Sequence, residues 1–315
     1  MRVSQQCPDR PKLPAILIGA TTQKLFRETF GREDLFEGQP VITRRVVAWG
    51  TTETQELPHS AVVMSELELL GKLERPSGVE DSSGVAGWLV AASRPLPDDC
   101  AECHFGARSA KAVAVRLREQ ADRSACWIES LENGWAFLIP GGRDRGWLLA
   151  VGDHGDLRFA GSRLVGAQIA EQIGEPATFP AHPRIAWPVC GSGWLACGTG
   201  ALAFDPLCGD GSGHAVREGI LAAAVLRAIH GGGSNEELLQ HYSSRLLGGF
   251  LRHLATCETF YRTGGSSPWW RQQLEAVRDG LNWRPRESGP PSRARYRLRG
   301  FDLEPVSIDR PNYSF

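Results

Sequence analysis

Apolar and polar positions alternate in short runs through the first half of the chain and recur at helical spacing through its last third, which predicts strands first and helices last. Residues 13–19 (LPAILIG) read as a short buried strand, and residues 21–30 as an amphipathic helix ended by Gly31. Residues 41–50 alternate as a strand. Residues 60–73 read as helical, with Ser65 placed to cap ELELLGKL. Residues 85–92 (VAGWLVAA) form a further buried strand, and residues 94–99, with two prolines, a crossing loop. Four strand-like runs follow, at 111–119, 126–131, 135–140 and 147–152, separated by turns at 132–134 and 141–145. Such short spacing with Gly and Asn predicts an antiparallel meander. Ser162 is placed to cap a helix over 163–173, and Pro176, Pro180, Pro183 and Pro188 mark a connection after it. In the last quarter Ser234 and Glu237 form a capping box, and Leu239, Tyr242, Leu246, Phe250, Leu254, Cys257 and Tyr261 make one helical stripe. Trp269 and Trp270 open a shorter helix. Residues 284–299, rich in Pro, Ser and Arg, read as loosely ordered.

The densest pattern lies at 194–229: a short apolar strand, two glycine-rich turns, Asp205-Pro206, and a helix apolar nearly all round (Ile220, Leu221, Ala222, Ala223, Ala224, Val225, Leu226, Ile229), hence a buried one. Gly198-Thr199-Gly200-Ala201-Leu202-Ala203 has the GxGxxA form of a dinucleotide fingerprint. That fingerprint needs a helix starting at its second glycine, and Pro206, six residues later, would break it, so Asp205-Pro206 reads as a turn. Gly209, Gly211 and Gly213 then lead into the buried helix. Glycines there let backbone N–H groups approach a ligand, and the helix dipole favours partial negative charge. The same residues also read as a tight turn feeding a core helix.

Composition narrows the partners. The 315 residues are 42% hydrophobic with a formal net charge of −1, which suits a substantial core and gives no basic surplus for nucleic acid. A small molecule is the expected partner. Residues 1–14 are polar and lack the apolar run of a signal peptide, and no stretch suits a bilayer, so a cytoplasmic location without membrane attachment is expected. The eight cysteines are then expected to be mostly reduced. Cys100-Ala101-Glu102-Cys103-His104 has the CxxCH form of a haem c attachment, but export is not signalled and no methionine other than Met1 and Met64 exists to serve as an axial ligand. Without a second CxxC or an HxxxH, zinc is not expected either, and no metal is assigned. His214 could sit near a ligand, cap the helix or face solvent. Arg217 and Glu218 read as an exposed or interdomain pair. Cys190, Cys197 and Cys208 have no base nearby in sequence, and Ser192 and Ser212 lack a nucleophile elbow.

The stretch around Asp205 resembles the second flavin-binding motif of the FAD-dependent monooxygenase and halogenase superfamily, the p-hydroxybenzoate-hydroxylase-like fold, with Pro206, Gly209 and Gly211 matching its PxxGxG turn. Gly134-Trp135-Ala136-Phe137-Leu138-Ile139-Pro140 resembles the GWxWxIP motif of the flavin-dependent halogenases, with Phe137 at the second Trp. Phe260-Tyr261 and Pro268-Trp269-Trp270 suit the branch that includes flavoproteins modifying other proteins during quinone-cofactor maturation. The resemblance spans most of residues 13–270. It implies an α/β fold with a parallel-sheet FAD/NAD(P)-binding-like domain (13–106 and 153–232), an antiparallel substrate sheet (107–152), a helical region (233–283) and a tail (284–315). It also implies FAD held by Gly198, Thr199, Asp205, Pro206, Gly209, Asp210, Gly211 and Gly213, and a substrate pocket at Trp135, Phe137 and Pro140; no catalytic residue is assigned.

Two departures qualify these expectations. No GxGxxG unit for the ADP half of FAD precedes Leu13, so the flavin domain is expected to be incomplete at its N-terminus. Thr199 stands where the family has the aspartate of Gly-Asp-Ala, and a hydroxyl replaces a carboxylate there. The family's catalytic halogenase lysine has no counterpart, so halogenation is not supported. The expected activity is FAD-dependent oxidation or monooxygenation of an aromatic or aminoacyl substrate, with a flavin reductase or a protein partner completing the reaction. The alternative is a non-catalytic or N-terminally truncated homologue acting as a binding or accessory protein.

Overall fold

The computed structural model describes residues 12–51, 53–73, 87–153, 162–285 and 296–306. In chain order the first elements are β1 (Ile16–Gly19), α1 (Ala20–Phe30), β2 (Val41–Ala48), β3 (Gln55–Met64), α2 (Glu66–Lys72), β4 (Leu89–Ala91), β5 (Ala101–His104), β6 (Ser109–Leu117), β7 (Ala125–Leu131), β8 (Gly134–Pro140) and β9 (Arg145–Gly152). They are followed by β10 (Ile169–Pro180), β11 (Arg184–Trp187), β12 (Cys190–Gly191), β13 (Trp194–Ala196), α3 (Gly198–Ala201), β14 (Leu202–Ala203), α4 (Gly211–His230), α5 (Asn235–Thr263), α6 (Pro268–Asn282), β15 (Tyr296–Arg299) and β16 (Asp302–Pro305).

The fold is mixed α/β. One large sheet runs β1-β3-β2-β7-β8-β9-β6-β10, with the meander at its centre and strands added on both sides. Within the meander β7, β8 and β9 pair in succession, and β6 returns to pair with β9. Parallel pairing among the described residues is confined to β2 with β7 and β4 with β13. The central strand β8 is buried at all of its positions, because both faces of the sheet are covered. Trp135, Phe137 and Ile139 enter the main core shared with the helices, whereas Ala136 and Leu138 enter a second core with Val113, Val115, Trp127 and Leu148. A strand covered on both faces loses polar alternation, which is why GWAFLIP is apolar throughout.

Helices α4, α5 and α6 pack in sequence, α5 on α4 and α6 on α5. The buried stripe of α5 starts at Leu238 rather than Leu239 and runs through Tyr242, Leu246, Phe250, Leu254, Cys257 and Tyr261. The α6 end is tied to the β7–β8 turn, where Trp270 donates its indole N–H to the Leu131 carbonyl at 2.9 Å and the Ser267 hydroxyl donates to Glu132 at 2.6 Å. Trp270 packs edge-on against Trp49 and Trp269 and at a tilt against Tyr261, so much of the aromatic surplus is core.

Two local expectations change. The helix expected over residues 60–73 starts only at Glu66, after a complete capping box on Ser65, because Ser60 to Met64 complete β3 beside β1 and β2. The helix expected over 163–173 is absent: a 3-10 turn at Gly166–Gln168 leads directly into β10. Buried Glu129 anchors the turn, its carboxylate accepting from the Ser162 hydroxyl (2.6 Å) and the Arg163, Leu164 and Val165 amides at 2.8, 3.1 and 2.9 Å. A helix start leaves such donors free in any case, so what ends the turn is the pairing of β10 with β6 from Ile169 onward, after the Ser162 hydroxyl has accepted the Gly166 amide at 2.7 Å. β10 is an edge strand, where Pro176 and Pro180 are tolerated. Of residues 284–299, those at 286–295 lie outside the described residues, and Tyr296–Arg299 is a strand paired with β16.

Candidate functional site

The 194–213 segment is assembled against β4. Trp194, Leu195 and Ala196 pair in parallel with Leu89, Val90 and Ala91, and the Cys197 amide bonds the Ala91 carbonyl at 3.0 Å. At Gly200 a Cβ would stand 2.3 Å from that carbonyl, so glycine is required there by backbone packing against β4. α3 is only four residues long and gives way to β14, so the GxGxxA run opens no dinucleotide helix. Thr199 is exposed, and its hydroxyl donates to the Ala92 carbonyl at 3.3 Å.

Asp205 and Pro206 form the turn that the sequence predicts. Pro206 opens a 3-10 turn, the Asp205 carboxylate accepts from the Leu207 amide at 2.9 Å, and Gly209 closes it in the left-handed region at φ 62°. Asp210 precedes the twenty-residue α4 without capping it. Its carboxylate is drawn away by the Thr22 hydroxyl of α1 (2.7 Å) and by Arg217 (2.9 Å). Among the described residues the Gly211, Ser212 and Gly213 amides at the start of α4 have no side-chain cap, and the first bond of the helix runs from the His214 amide to the Asp210 carbonyl at 3.0 Å. Positions 209 and 211 face open space, whereas a Cβ at Gly213 would meet Asp210 and Thr22. α1 also begins uncapped at Gly19. Two helix N-termini thus meet beside a bare glycine surface, and only α4 carries the glycine run.

Behind this turn lies a buried polar network. The Arg108 and Asp205 side chains form a fully buried ion pair. The same Asp205 oxygen accepts from the Tyr261 hydroxyl at 2.8 Å, and Tyr261 in turn accepts from the Trp135 indole N–H at 3.3 Å. Arg108 also donates to Gln273 at 3.1 Å, and its guanidinium lies 4.7 Å from the Tyr261 ring centroid. The Asp205 amide donates to His253 Nε2 at 2.8 Å, which places the imidazole proton on Nδ1. Burial works against the Arg108 charge, but the Asp205 carboxylate outweighs it and holds the guanidinium above its ordinary range. Burial first, and Asp205 second, push the Tyr261 phenol well above its usual value.

Glu218 departs from the sequence reading. It is buried, not exposed, and accepts the Gly198 amide at 2.7 Å, while Arg217 pairs with Asp210 instead. Burial raises the Glu218 carboxyl to about 8, with the Gly198 bond opposing. Burial, with Glu218 beside it, lifts the Cys197 thiol to about 11. His214 stacks on Phe204 at 4.2 Å between centroids, and its burial lowers its basicity.

The structure thus brings Asp205, Pro206, Gly209, Asp210, Gly211 and Gly213 into one turn, with Gly198 tied to α4 through Glu218. Trp135 and Phe137 are buried in the main core, and Pro140 is buried where β8 pairs with Gly146 of β9. Cys100 and Cys103 of the CxxCH run are half-buried around β5, with burial raising both thiols. The sequence does not single out Arg108, His253 or Gln273, and Glu218 reads there as exposed or interdomain. Only Tyr261 carried a signal, as a member of the α5 stripe. A cavity of about 260 Å³ lies elsewhere, lined by His104, Phe105, Gly106, Gln272, Glu275, Ala276 and Asp279.

The fold is that of the flavin-dependent halogenases and monooxygenases. The peptidyl tryptophan dihydroxylase QhpG, essential for tryptophylquinone cofactor biogenesis, superposes with a TM-score of 0.64 at 17% identity over 94% of this chain and 79% of its own. The flavin-dependent halogenase CmlS gives 0.65 at 16% identity, covering 84% of this chain and 61% of its own. The p-nitrophenol 4-monooxygenase PnpA from Pseudomonas putida DLL-E4 gives 0.60 at 16% identity, covering 88% and 86%. No family model and no curated protein matches the sequence. Among the described residues no helix is long and apolar enough to cross a membrane, and no cluster of three metal-ligating side chains occurs.

Proposed function

We propose that this chain is an FAD-dependent oxidoreductase of the monooxygenase type, acting in the cytoplasm on an aromatic or aminoacyl substrate with electrons from a separate flavin reductase. The observation that carries the reading is the uncapped, glycine-faced N-terminus of α4, approached through the Asp205-Pro206 turn, in a fold shared with flavoenzymes. The residues fit the ring end of a flavin: backbone donors that no described side chain caps, and a surface without Cβ atoms, suit its flat, electron-rich pyrimidine edge. Gly209, Asp210, Gly211 and Gly213 would hold that edge, and Gly198 and Thr199 would lie toward the ribityl chain. Bound flavin would supply oxygen activation. The chain's own part is positioning, through backbone donors fixed in advance, and exclusion of water by the apolar body of α4.

A second reading, a binding or accessory protein without catalysis, is favoured by Thr199, which supplies no carboxylate, and by β1, which pairs antiparallel with β3 rather than opening a parallel nucleotide-binding unit. Titration with FAD and with dithionite-reduced FAD, followed by flavin absorbance and fluorescence, separates the two. Saturable binding of either form supports the enzyme, and failure of both to bind rejects it. Thr199→Asp is expected to tighten FAD binding if the missing carboxylate weakens it; equal affinity would assign no role to position 199.

A further inference from the structure

We propose that Arg108 and Tyr261 are positioning residues that act through Asp205 to hold the 205–211 turn in the shape that presents the N-terminus of α4 to its ligand. This rests on the functional reading above. Asp205 itself is fully committed within the protein. One oxygen closes the turn on the Leu207 amide, and the other is held by Arg108 and the Tyr261 hydroxyl. Rotation of the carboxylate would break all of these bonds together, so the partners of the second oxygen fix the direction of the first.

The energetics favour a role in geometry. A turn of this kind needs only the bond from Asp205 to Leu207, whereas burying an ion pair incurs a desolvation cost that a well-packed apolar pair avoids. Here both charged side chains are at 0% exposure. Arg108 Nε, moreover, is buried with no hydrogen-bond partner among the described residues. What the pair contributes is a reference to the rest of the molecule. Arg108 lies just before β6, Trp135 on β8, Tyr261 on α5 and Gln273 on α6, so the turn is registered against the large sheet and the helical layer at once. The two stretches that resemble flavoprotein motifs are joined by the chain Trp135, Tyr261, Asp205.

Tyr261→Phe removes one hydroxyl and keeps the ring. The expected result is at least about tenfold faster amide exchange at Leu207, with β6 to β9 still protected, and FAD affinity weakened by about tenfold, the scale of one buried hydrogen bond to a charged group. The absorption spectrum of bound flavin should shift, while the melting temperature falls only by the few degrees that one lost buried hydrogen bond accounts for. Arg108→Lys should recover much of the affinity lost in Arg108→Met. Unchanged exchange at Leu207 in Tyr261→Phe, or protection lost uniformly across the sheet, would overturn the proposal. A wild-type protein that binds neither FAD nor reduced FAD rejects the functional reading alone, and exchange at Leu207 in the ligand-free chain still decides the positioning role.

Discussion

Glu218 illustrates what a single buried carboxyl does to the pH response of this fold. Its pKa rises from 4.5 to about 8 on folding, so between those values the native state holds a proton that the unfolded chain releases. Stability on account of Glu218 is therefore greatest below about pH 4.5 and falls as pH rises toward 8, at a rate on the order of 1.4 kcal/mol per pH unit. Glu218→Gln keeps an acceptor for the Gly198 amide and abolishes that slope. Thermal melts should show the variant more stable than the wild type at pH 8 and indistinguishable below pH 4; parallel curves across this range would refute the assignment. Arg108→Met removes one partner of a buried pair and leaves Asp205 uncompensated, with an expected loss of about 3–5 kcal/mol in urea denaturation. Neither residue announces itself in sequence. Arg108 follows Gly106 and Ala107 in an unremarkable stretch, and its partner stands 97 positions away. Glu218 beside Arg217 reads as a surface pair, because adjacent helix positions do not reveal which one faces the α3 donor.

At the level of elements, the glycines around α3 and α4 separate packing from presentation. Gly200→Ala would drive a Cβ into the Ala91 carbonyl of β4 and displace backbone, so a loss of about 3 kcal/mol, the upper end of overpacking costs, and weakened β4–β13 pairing are expected. Gly209→Ala meets open space and carries only the left-handed penalty, about 1–2 kcal/mol. Equal losses in the two variants by urea denaturation would contradict this distinction. The same elements show where sequence patterns succeed. The meander, the capped starts of α2 and α5, and the Asp205-Pro206 turn follow from local rules. The helix expected after Ser162 failed because the residues from Ile169 onward pair with β6, far earlier in the chain, as an edge strand of the large sheet.

Across the whole molecule the main core is continuous from Trp135 and Phe137 of the sheet through Leu195 and Leu221 to Phe250, Trp270 and Val277 of the helical layer. Such a core predicts one cooperative unfolding transition, with far-UV circular dichroism and tryptophan fluorescence coinciding; separated midpoints would show that the sheet and helices unfold independently. By itself the sequence determined the strand-then-helix order, the central meander, the buried α5 stripe and the glycine-led entry into α4. These depend on residue periodicity, capping and φ preferences within a few neighbours. Only the tertiary structure decided that strands from both flanks extend the meander, that Glu218 is buried, and that Arg108, Tyr261 and Asp205 meet. Each of those outcomes rests on burial and charge pairing between segments tens to more than a hundred residues apart, which no local pattern encodes.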